Sequence, residues 1–212
     1  MWWAFVAAAA IGYLLGGIPS GLVVGRLARG VDIREFGSGK TGFTNVLRTV
    51  GPRWGALVLL ADVAKGAVPV VIARVISDEP YVQTVAGLAA AIGHDWPVFA
   101  GFRGGRGVAA SFGAALAMNP IASAALIPVG AGLLAVTRIM SVMSVGMGLV
   151  LAAVFVGLAA AGVHPWAYAV YAIVAAALLI AAHRENIERL LAGTEPKLGR
   201  GGERRPAPPT GS

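Results

Sequence analysis

The stretch VMSVGMGLVLAAVFVGLAAAG, residues 142–162, carries no charged side chain along its whole length. A helix needs about 20 apolar residues to cross the ~30 Å hydrocarbon core of a bilayer. This stretch is long enough and apolar enough to do so, and other apolar runs lie on both sides of it. We therefore predict an all-α fold built from transmembrane helices.

The composition of the chain agrees with a membrane protein. Charged residues make up 13% of its 212 residues and hydrophobic residues 57%. A soluble domain is about a quarter charged, so this chain has too little polar surface to cover a water-soluble globule. The absence of cysteine excludes disulfides, thiolate nucleophiles and cysteine-bound metals. The net charge of +7 fits basic cytoplasmic loops better than nucleic-acid binding, because no basic stripe is interleaved with aromatic residues.

The apolar runs predict seven membrane segments. They comprise residues 3–27, 54–76, 81–99, 107–118, 120–136, 142–162 and 165–182. The fourth segment is too short to cross a bilayer as a straight helix, so we expect it to be tilted among its neighbours or to span part of the membrane. The dipeptides Asn119-Pro120 and His164-Pro165 are turn signals between neighbouring segments.

Basic residues indicate the orientation of the chain. If the N-terminus lies outside, the inner loops hold fifteen of the seventeen lysines and arginines. These are Arg26, Arg29, Arg34, Lys40, Arg48, Arg53, Arg103, Arg106, Arg138, Arg184, Arg189, Lys197, Arg200, Arg204 and Arg205. The positive-inside rule then predicts an outside N-terminus and a cytoplasmic C-terminus. We expect one membrane-embedded domain over residues 1–198 and a disordered cytoplasmic tail over residues 199–212, where glycine, proline and arginine dominate.

Four polar islands interrupt the apolar chain. They comprise residues 32–53, 93–110, 137–141 and 183–198. In the predicted topology all four fall on the cytoplasmic side of the membrane. Convergence of polar groups at one end of a helix bundle is typical of a binding or active site.

The first island contains GSGKT, residues 37–41, which is close to a nucleotide-binding P-loop. The P-loop pattern requires a glycine where Arg34 stands, and no β-strand is predicted before it, so nucleotide binding is not favoured. A glycine-rich turn can still wrap a phosphate with its backbone N–H groups, assisted here by Ser38, Lys40 and Thr41. The alternative is an ordinary interhelical loop on the positive side.

The second island contains FRGGRG, residues 102–107, just before the short fourth segment. Glycines and arginines at a helix start predict a second anion site, and the alternative is a basic loop that snorkels to the headgroups. His94, beside Asp95, is either structural or part of this site. In the second segment, Lys65 lies three residues after Asp62, so the pair can neutralise itself or Lys65 can point at a substrate anion.

The fourth island places His183, Asn186 and Arg189 at i, i+3 and i+6, roughly along one helix face. A histidine beside a phosphate site can transfer protons near neutral pH. The three histidines of the chain have no zinc-ligand spacing, so no metal site is predicted.

Seven motifs occur in order along the chain. They are GGIPSG (16–21), GSGKTGFTNVLR (37–48), ADVAKG (61–66), GHDWPVF (93–99), GGRGVA (104–109), TRIMS (137–141) and HRENIERLLAGTEPKLG (183–199). In this order and spacing the chain resembles the bacterial acyl-phosphate-dependent glycerol-3-phosphate acyltransferases, the PlsY family. The resemblance implies a seven-span enzyme of the bacterial inner membrane, with an outside N-terminus and a cytoplasmic active site.

The same resemblance implies the reaction. A fatty acyl group moves from acyl phosphate to the 1-hydroxyl of glycerol 3-phosphate, and this gives lysophosphatidic acid and phosphate for phospholipid synthesis. Acyl phosphate is a mixed anhydride that is already activated, so no cofactor is expected and catalysis rests on positioning and electrostatics. The lipid bilayer and the soluble enzyme that makes acyl phosphate are the implied partners.

The expected site residues follow from the motifs. The catalytic group is Ser38, Arg48, His183 and Asn186. The substrate-binding group is Gly37, Gly39, Lys40, Thr41, Asn45, Lys65, His94, Arg103, Gly104, Gly105, Arg106 and Ser141. The base for the glycerol hydroxyl stays open between His183 and a phosphate oxygen of the substrate.

This sequence departs from the usual family pattern at several positions. Lys40 stands in place of asparagine, Phe43 in place of alanine, Arg106 in place of lysine and Ala110 in place of threonine, and Ile139 and Met140 also differ. The extra positive charge preserves anion binding, whereas the bulk of Phe43 can narrow the choice of acceptor. Two alternatives are a paralogue that acylates another phosphorylated acceptor and a small transporter for a phosphorylated solute. A transporter should show inverted repeats, and we find none.

The charge asymmetry gives a testable topology. Because the chain has no cysteine, a single cysteine at Asp78 should react with a membrane-impermeant maleimide added to intact cells. A single cysteine at Gly199 should react only after the inner face is exposed. The reverse labelling pattern would contradict the predicted orientation.

Overall fold

The computed structural model describes residues 1–205, and over this range the chain is helical, with one isolated β-bridge between Phe36 and Arg204. The α-helices are α1 (Trp2–Gly16), α2 (Ser20–Arg29), α3 (Phe43–Thr49), α4 (Pro52–Ile76), α5 (Pro80–Asp95), α6 (Val108–Met118), α7 (Pro120–Ala124), α8 (Leu126–Thr137), α9 (Met140–Ala160), α10 (Trp166–Ala182) and α11 (Arg184–Leu191). The predicted all-α fold is confirmed.

Several of these helices are long and apolar enough to cross a membrane. Within residues 1–205 four spans satisfy both criteria, namely Trp2–Arg29, Pro52–Ile76, Pro120–Thr137 and Met140–Ala160. A fifth is α10 with α11, although the pair is bent by 61°. The protein is therefore an all-helical membrane protein. Each of the seven predicted segments contains at least one helix, but the number of crossings and the orientation stay predictions.

The first span is broken between α1 and α2, at Gly17–Pro19. Proline has no N–H to donate, so the regular helical hydrogen-bond ladder cannot continue through Pro19. At the break the Ile18 carbonyl accepts a hydrogen bond from the Lys65 Nζ at 2.8 Å and another from the Ser20 N–H at 3.0 Å. A cation inside a membrane segment thereby gains a backbone partner.

The short helix α6 is held tightly against α4. A Cβ atom added to Gly66 of α4 would overlap the backbone of Ala110, and one added to Gly113 of α6 would overlap the backbone of Val63. Small residues permit this close approach of helix backbones in lipid. With 11 residues, α6 is about 16 Å long and does not cross a bilayer alone. It is a buried internal helix whose N-terminus lies beside the polar islands.

Hydrogen bonds between polar groups join α10 to α6 and to α5. The Tyr171 hydroxyl of α10 donates to the Ser111 carbonyl of α6 at 2.7 Å, and Tyr171 is fully buried. Tyr168 of α10 donates to Gln83 of α5 at 2.7 Å, and the Thr84 hydroxyl donates to a carbonyl of α10 at 2.8 Å. These bonds fix α5, α6 and α10 relative to one another, since unpaired polar groups are costly in lipid.

The chain after α11 returns to the polar end of the bundle. The Leu198 N–H donates to the Arg138 carbonyl at 2.6 Å. Residues 199–205 then run along the first polar island. The sequence predicts a disordered tail over residues 199–212. Of these, residues 199–205 are described and lie along the first polar island, and residues 206–212 lie outside the described part of the chain.

Candidate active site

All four polar islands line one cavity of about 640 Å³ at one end of the bundle. Ser38 and Arg48 come from the first island, Arg106 from the second, Ser141 from the third and His183 from the fourth. The predicted convergence of the islands is therefore present in the fold. An apolar wall continues the cavity between the helices, formed by Leu59, Val63, Phe112, Met143 and Met147.

Asn45 organises the first loop. Its side chain is 2% exposed, and its Nδ2 donates to the carbonyl groups of Ile33, Phe36 and Lys40 at 2.9, 3.0 and 2.8 Å. Its Oδ1 accepts from the Ser38 backbone N–H at 3.2 Å. These four bonds use the whole side-chain amide to hold the loop in shape, so Asn45 positions Ser38 and Lys40 at the edge of the cavity.

Thr41 joins the first loop to the second. It is buried, and its backbone N–H donates to the Gly104 carbonyl at 3.4 Å. Gly104 and Gly105 in turn donate to the backbone carbonyls of Asp95 and His94 at 3.2 and 3.0 Å. A Cβ on Gly105 would collide with the His94 ring, so this glycine is required by the packing of the loop against α5.

Two guanidinium groups face the cavity with unused hydrogen-bonding capacity. The Nε atoms of Arg48 and Arg106 are both buried, and neither has a hydrogen-bond partner within residues 1–205. Burial lowers the pKa of Arg106, with a further decrease caused by Arg189, and burial also lowers the pKa of Arg48. Both groups remain charged at neutral pH because a guanidinium group is not deprotonated in proteins. They are suited to bind phosphate oxygens.

Glu195 connects the third and fourth islands, and the sequence analysis missed it. Its carboxylate accepts hydrogen bonds from Ser141 Oγ at 2.8 Å, Asn186 Nδ2 at 2.6 Å and Arg189 Nε at 2.8 Å. Burial raises the pKa of Glu195, but the bonds from Asn186, Ser141 and Arg189 outweigh that effect and hold the pKa below its usual value. The sequence signal that could have identified Glu195 is its position as the single acidic residue in EPKLGR, residues 195–200, which also contains Lys197 and Arg200.

The hydrogen bonds of Asn186 and His183 fix which of their atoms can accept. Because Asn186 donates to Glu195 through Nδ2, its buried Oδ1 is an acceptor without a partner among the described residues. His183 is 3% exposed, and its Nδ1 lies 2.8 Å from the Leu179 carbonyl. A carbonyl only accepts, so Nδ1 carries the proton. Burial lowers the pKa of His183 to about 4, which leaves Nε2 as an acceptor at neutral pH.

Lys65 is held away from the cavity. Its Nζ lies 2.9 Å from Asp62 Oδ1 and donates to the Ile18 carbonyl. His94 Nδ1 lies 3.7 Å from the same Asp62 oxygen. Asp62 and His94 line the cavity, whereas Lys65 does not. The geometry thus favours a structural ion pair for Lys65.

The predicted residues separate into two groups. Those that line the cavity are Gly37, Ser38, Lys40, Asn45, Arg48, His94, Arg106, Ser141, His183 and Asn186. Those that do not line it are Gly39, Thr41, Lys65, Arg103, Gly104 and Gly105. Gly39, Thr41, Gly104 and Gly105 belong to the loops that support the cavity wall, Lys65 is ion-paired in α4, and the Arg103 side chain is exposed.

The chain matches a family model described as glycerol-3-phosphate acyltransferase over residues 6–193. A relative of that name from Synechococcus sp. (strain JA-3-3Ab) is 48% identical over 203 residues, which cover 93% of this chain and 95% of the relative. A second, from Parasynechococcus marenigrum (strain WH8102), is 44% identical over 192 residues, which cover 90% of this chain and 88% of the relative.

Two solved structures share the fold. A crystal structure of PlsY (YgiH), an integral membrane glycerol 3-phosphate acyltransferase, in its glycerol 3-phosphate form, matches with a TM-score of 0.84 and 40% identity, covering 92% of this chain and 96% of that chain. The lysophosphatidic acid form matches with a TM-score of 0.81 and 38% identity. Fold and site thus define a membrane-embedded acyltransferase. The chain belongs to the glycerol-3-phosphate acyltransferase family.

The Glu195 contacts generate a prediction about activity and acid stability. We expect Glu195→Gln to lower turnover by about tenfold or more, because Ser141, Asn186 and Arg189 lose their shared anion. The free energy of unfolding should also fall at neutral pH. Since the folded pKa of Glu195 is depressed, this stabilisation is complete above the unfolded pKa of about 4.3 and is lost as the pH falls through the folded value.

The measurements are steady-state kinetics and thermal unfolding in detergent between pH 3.5 and 7.5. Glu188→Gln is the matched control, because Glu188 lies in the same helix-loop region but is exposed and does not line the cavity. Equal behaviour of the two variants would contradict the assigned position of Glu195.

Proposed function

We propose that the cavity transfers a fatty acyl group from acyl phosphate to the 1-hydroxyl of glycerol 3-phosphate, giving lysophosphatidic acid and phosphate. One observation carries the proposal most directly. Arg48 and Arg106 are half-buried, their Nε atoms are buried without a hydrogen-bond partner, and neither has a carboxylate partner within residues 1–205. They line the same cavity as His183 and Asn186, which carry the acceptor atoms. Two cations suit two phosphate-bearing substrates, and neutral acceptors suit a hydroxyl group.

Membership of the family supports the acceptor and the product. The related structures were solved in a glycerol 3-phosphate form and a lysophosphatidic acid form. Both molecules carry a phosphomonoester, which matches the cationic half of this cavity. Lysophosphatidic acid also carries an acyl chain, which matches the apolar wall containing Phe112, Met143 and Met147.

The main contribution of the protein to the chemical step is to position the two substrates. The glycerol hydroxyl oxygen attacks the acyl carbonyl carbon, a new ester bond forms, and the bond from that carbon to the phosphate oxygen breaks. The hydroxyl proton passes to the departing phosphate or to His183 Nε2. Arg48 and Arg106 hold the two phosphates near each other against their mutual repulsion, and this positioning lowers the barrier.

Ser38 lines the cavity, where its hydroxyl group can orient one of these phosphates. Asn45 fixes the backbone of Ser38 through a 3.2 Å hydrogen bond, and Gly37 and Gly39 adopt positive φ on either side of it. The backbone N–H groups of Gly37, Ser38, Gly39 and Thr41 are bonded within the fold, so the group that this loop offers to a phosphate is the Ser38 hydroxyl. We call residues 37–41 the phosphate cradle. Lys40 adds an ammonium group at the same edge.

We further propose seven membrane segments with the N-terminus outside and the active site at the cytoplasmic face of the bacterial inner membrane. The distribution of basic residues supports this orientation. A cytoplasmic cavity would receive glycerol 3-phosphate from solution and acyl phosphate from a soluble enzyme that makes it. The apolar wall between α4, α6 and α9 would accommodate the acyl chain.

The position of Phe43 points to a second candidate function with a different acceptor alcohol. Its side chain lines the cavity beside Lys40 and Thr44, where it reduces the space next to the phosphate cradle. A paralogue activity toward another phosphorylated alcohol is therefore the alternative function. A competition assay between glycerol 3-phosphate and other phosphorylated polyols distinguishes the two.

Purified protein in detergent or lipid tests the proposed reaction. We expect phosphate release and lysophosphatidic acid formation from acyl phosphate and glycerol 3-phosphate with no nucleotide added. A strict requirement for acyl-CoA, acyl-carrier protein or ATP would refute acyl phosphate as the donor.

Replacement of Arg106 tests the cationic half of the cavity. Arg106→Ala should lower turnover by about a hundredfold, because a substrate phosphate loses a charged hydrogen-bonding partner in a partly buried site. Arg106→Lys keeps the charge and should retain much of the activity. Arg103→Ala is the matched control, since Arg103 belongs to the same loop but is exposed and outside the cavity lining. Wild-type turnover in Arg106→Ala would remove this residue from the site.

A further inference from the structure

The C-terminal residues 199–205, GRGGERR, form a strap across the first polar island. The family model matches residues 6–193, so the strap lies beyond the matched residues. Four of its residues, Gly201, Glu203, Arg204 and Arg205, line the active-site cavity. The strap therefore supplies part of the wall around the substrates.

Backbone hydrogen bonds attach the strap to the phosphate cradle. The Gly37 N–H donates to the Glu203 carbonyl at 2.9 Å, and the Arg205 N–H donates to the Glu35 carbonyl at 2.7 Å. These are the two bonds on either side of the isolated antiparallel bridge between Phe36 and Arg204. The strap thus adds a short paired segment directly beside Ser38.

Close packing also positions the strap over Arg48. A Cβ atom on Gly202 would lie 2.7 Å from the Arg48 carbonyl oxygen, a distance that real side chains do not tolerate. Glycine at position 202 is therefore needed for the strap to approach α3 this closely.

The two arginines of the strap have different surroundings. Arg204 donates to the Glu35 carboxylate at 2.9 Å, so its charge is compensated at the surface. Arg205 forms no ion pair with any carboxylate of the described residues 1–205. Its guanidinium occupies the space beside Gly39, where a side chain at position 39 would otherwise point. An uncompensated cation therefore lies at the rim of the phosphate cradle.

We propose that Arg205, held by the strap, is a further phosphate-binding residue that determines substrate affinity in this enzyme. The proposal rests on the proposed function and adds to the set of Lys40, Arg48 and Arg106. Its ligand is a phosphate group, which is carried by glycerol 3-phosphate, by acyl phosphate and by the inorganic phosphate product. Because Arg205 stands at the exposed rim, it acts on binding before the chemical step.

Kinetics of Arg205→Ala provide the main test. We expect the KM for one of the two substrates to rise about five- to tenfold, with kcat changed by less than about twofold. A rise for glycerol 3-phosphate assigns Arg205 to the acceptor, and a rise for acyl phosphate assigns it to the donor. Arg205→Lys should restore part of the affinity.

Two further variants distinguish the loss of the Arg205 charge from a general effect of changes in the strap. Arg200→Ala removes the same charge from the same strap at a position outside the cavity lining and should behave as wild type. Gly202→Ala should displace the strap and raise the same KM as Arg205→Ala, and the double variant should be no worse than either alone. Equal kinetics of Arg205→Ala and Arg200→Ala, or a loss of kcat with unchanged KM, would overturn the proposal.

A binding measurement keeps the test independent of the proposed reaction. Inorganic phosphate should raise the melting temperature of the wild-type protein more than that of Arg205→Ala, because at one phosphate concentration the form with the lower Kd is stabilised more. Absence of turnover in the wild-type protein would refute the proposed reaction alone. Identical phosphate-induced shifts in the wild type and Arg205→Ala would refute the role of Arg205.

Discussion

Positive charge withdrawn from water requires an anion, and this requirement governs the active site. Arg48, Arg106 and Arg189 line the same end of the cavity, and burial removes part of the hydration of Arg48 and Arg106. Glu195 bonds to Arg189 but leaves Arg48 and Arg106 without a carboxylate partner among residues 1–205. Within residues 1–205 the cavity therefore keeps an excess of positive charge, which substrate phosphates would compensate under the proposed function.

The packing of the helices around the site holds these charges in place. The mutual approach of Gly66 and Gly113 locks α6 against α4, and this fixes the start of α6 just after Arg106. The broken first span supplies the Ile18 carbonyl for Lys65, so the Asp62–Lys65 pair is satisfied without using the cavity. Backbone geometry thereby separates Lys65, which is ion-paired, from Arg48 and Arg106, which line the cavity and are the cations proposed to bind substrate.

Much of this arrangement could be predicted from sequence, and the limits have physical causes. Apolar runs such as residues 142–162 identify helices because lipid contact demands an uninterrupted apolar surface. The motif order identified Ser38, Arg48, Arg106, Ser141, His183 and Asn186, all of which line the cavity. Their roles as site residues stay predictions. The sequence could not show that the Asn45 side-chain amide donates to three loop carbonyl groups, because these groups come together only when the loop is folded. Glu195 was missed because its partners lie up to 54 residues away along the chain.

The attachment of the strap has an evolutionary consequence. The bonds between Gly37 and Glu203 and between Arg205 and Glu35 join backbone atoms, so they survive replacement of most side chains in the strap. Selection can then vary the charge presented at the cavity rim while the core of the enzyme remains unaltered. Under the proposed role of Arg205, single codon changes outside the family-matched residues 6–193 would be enough to alter substrate affinity.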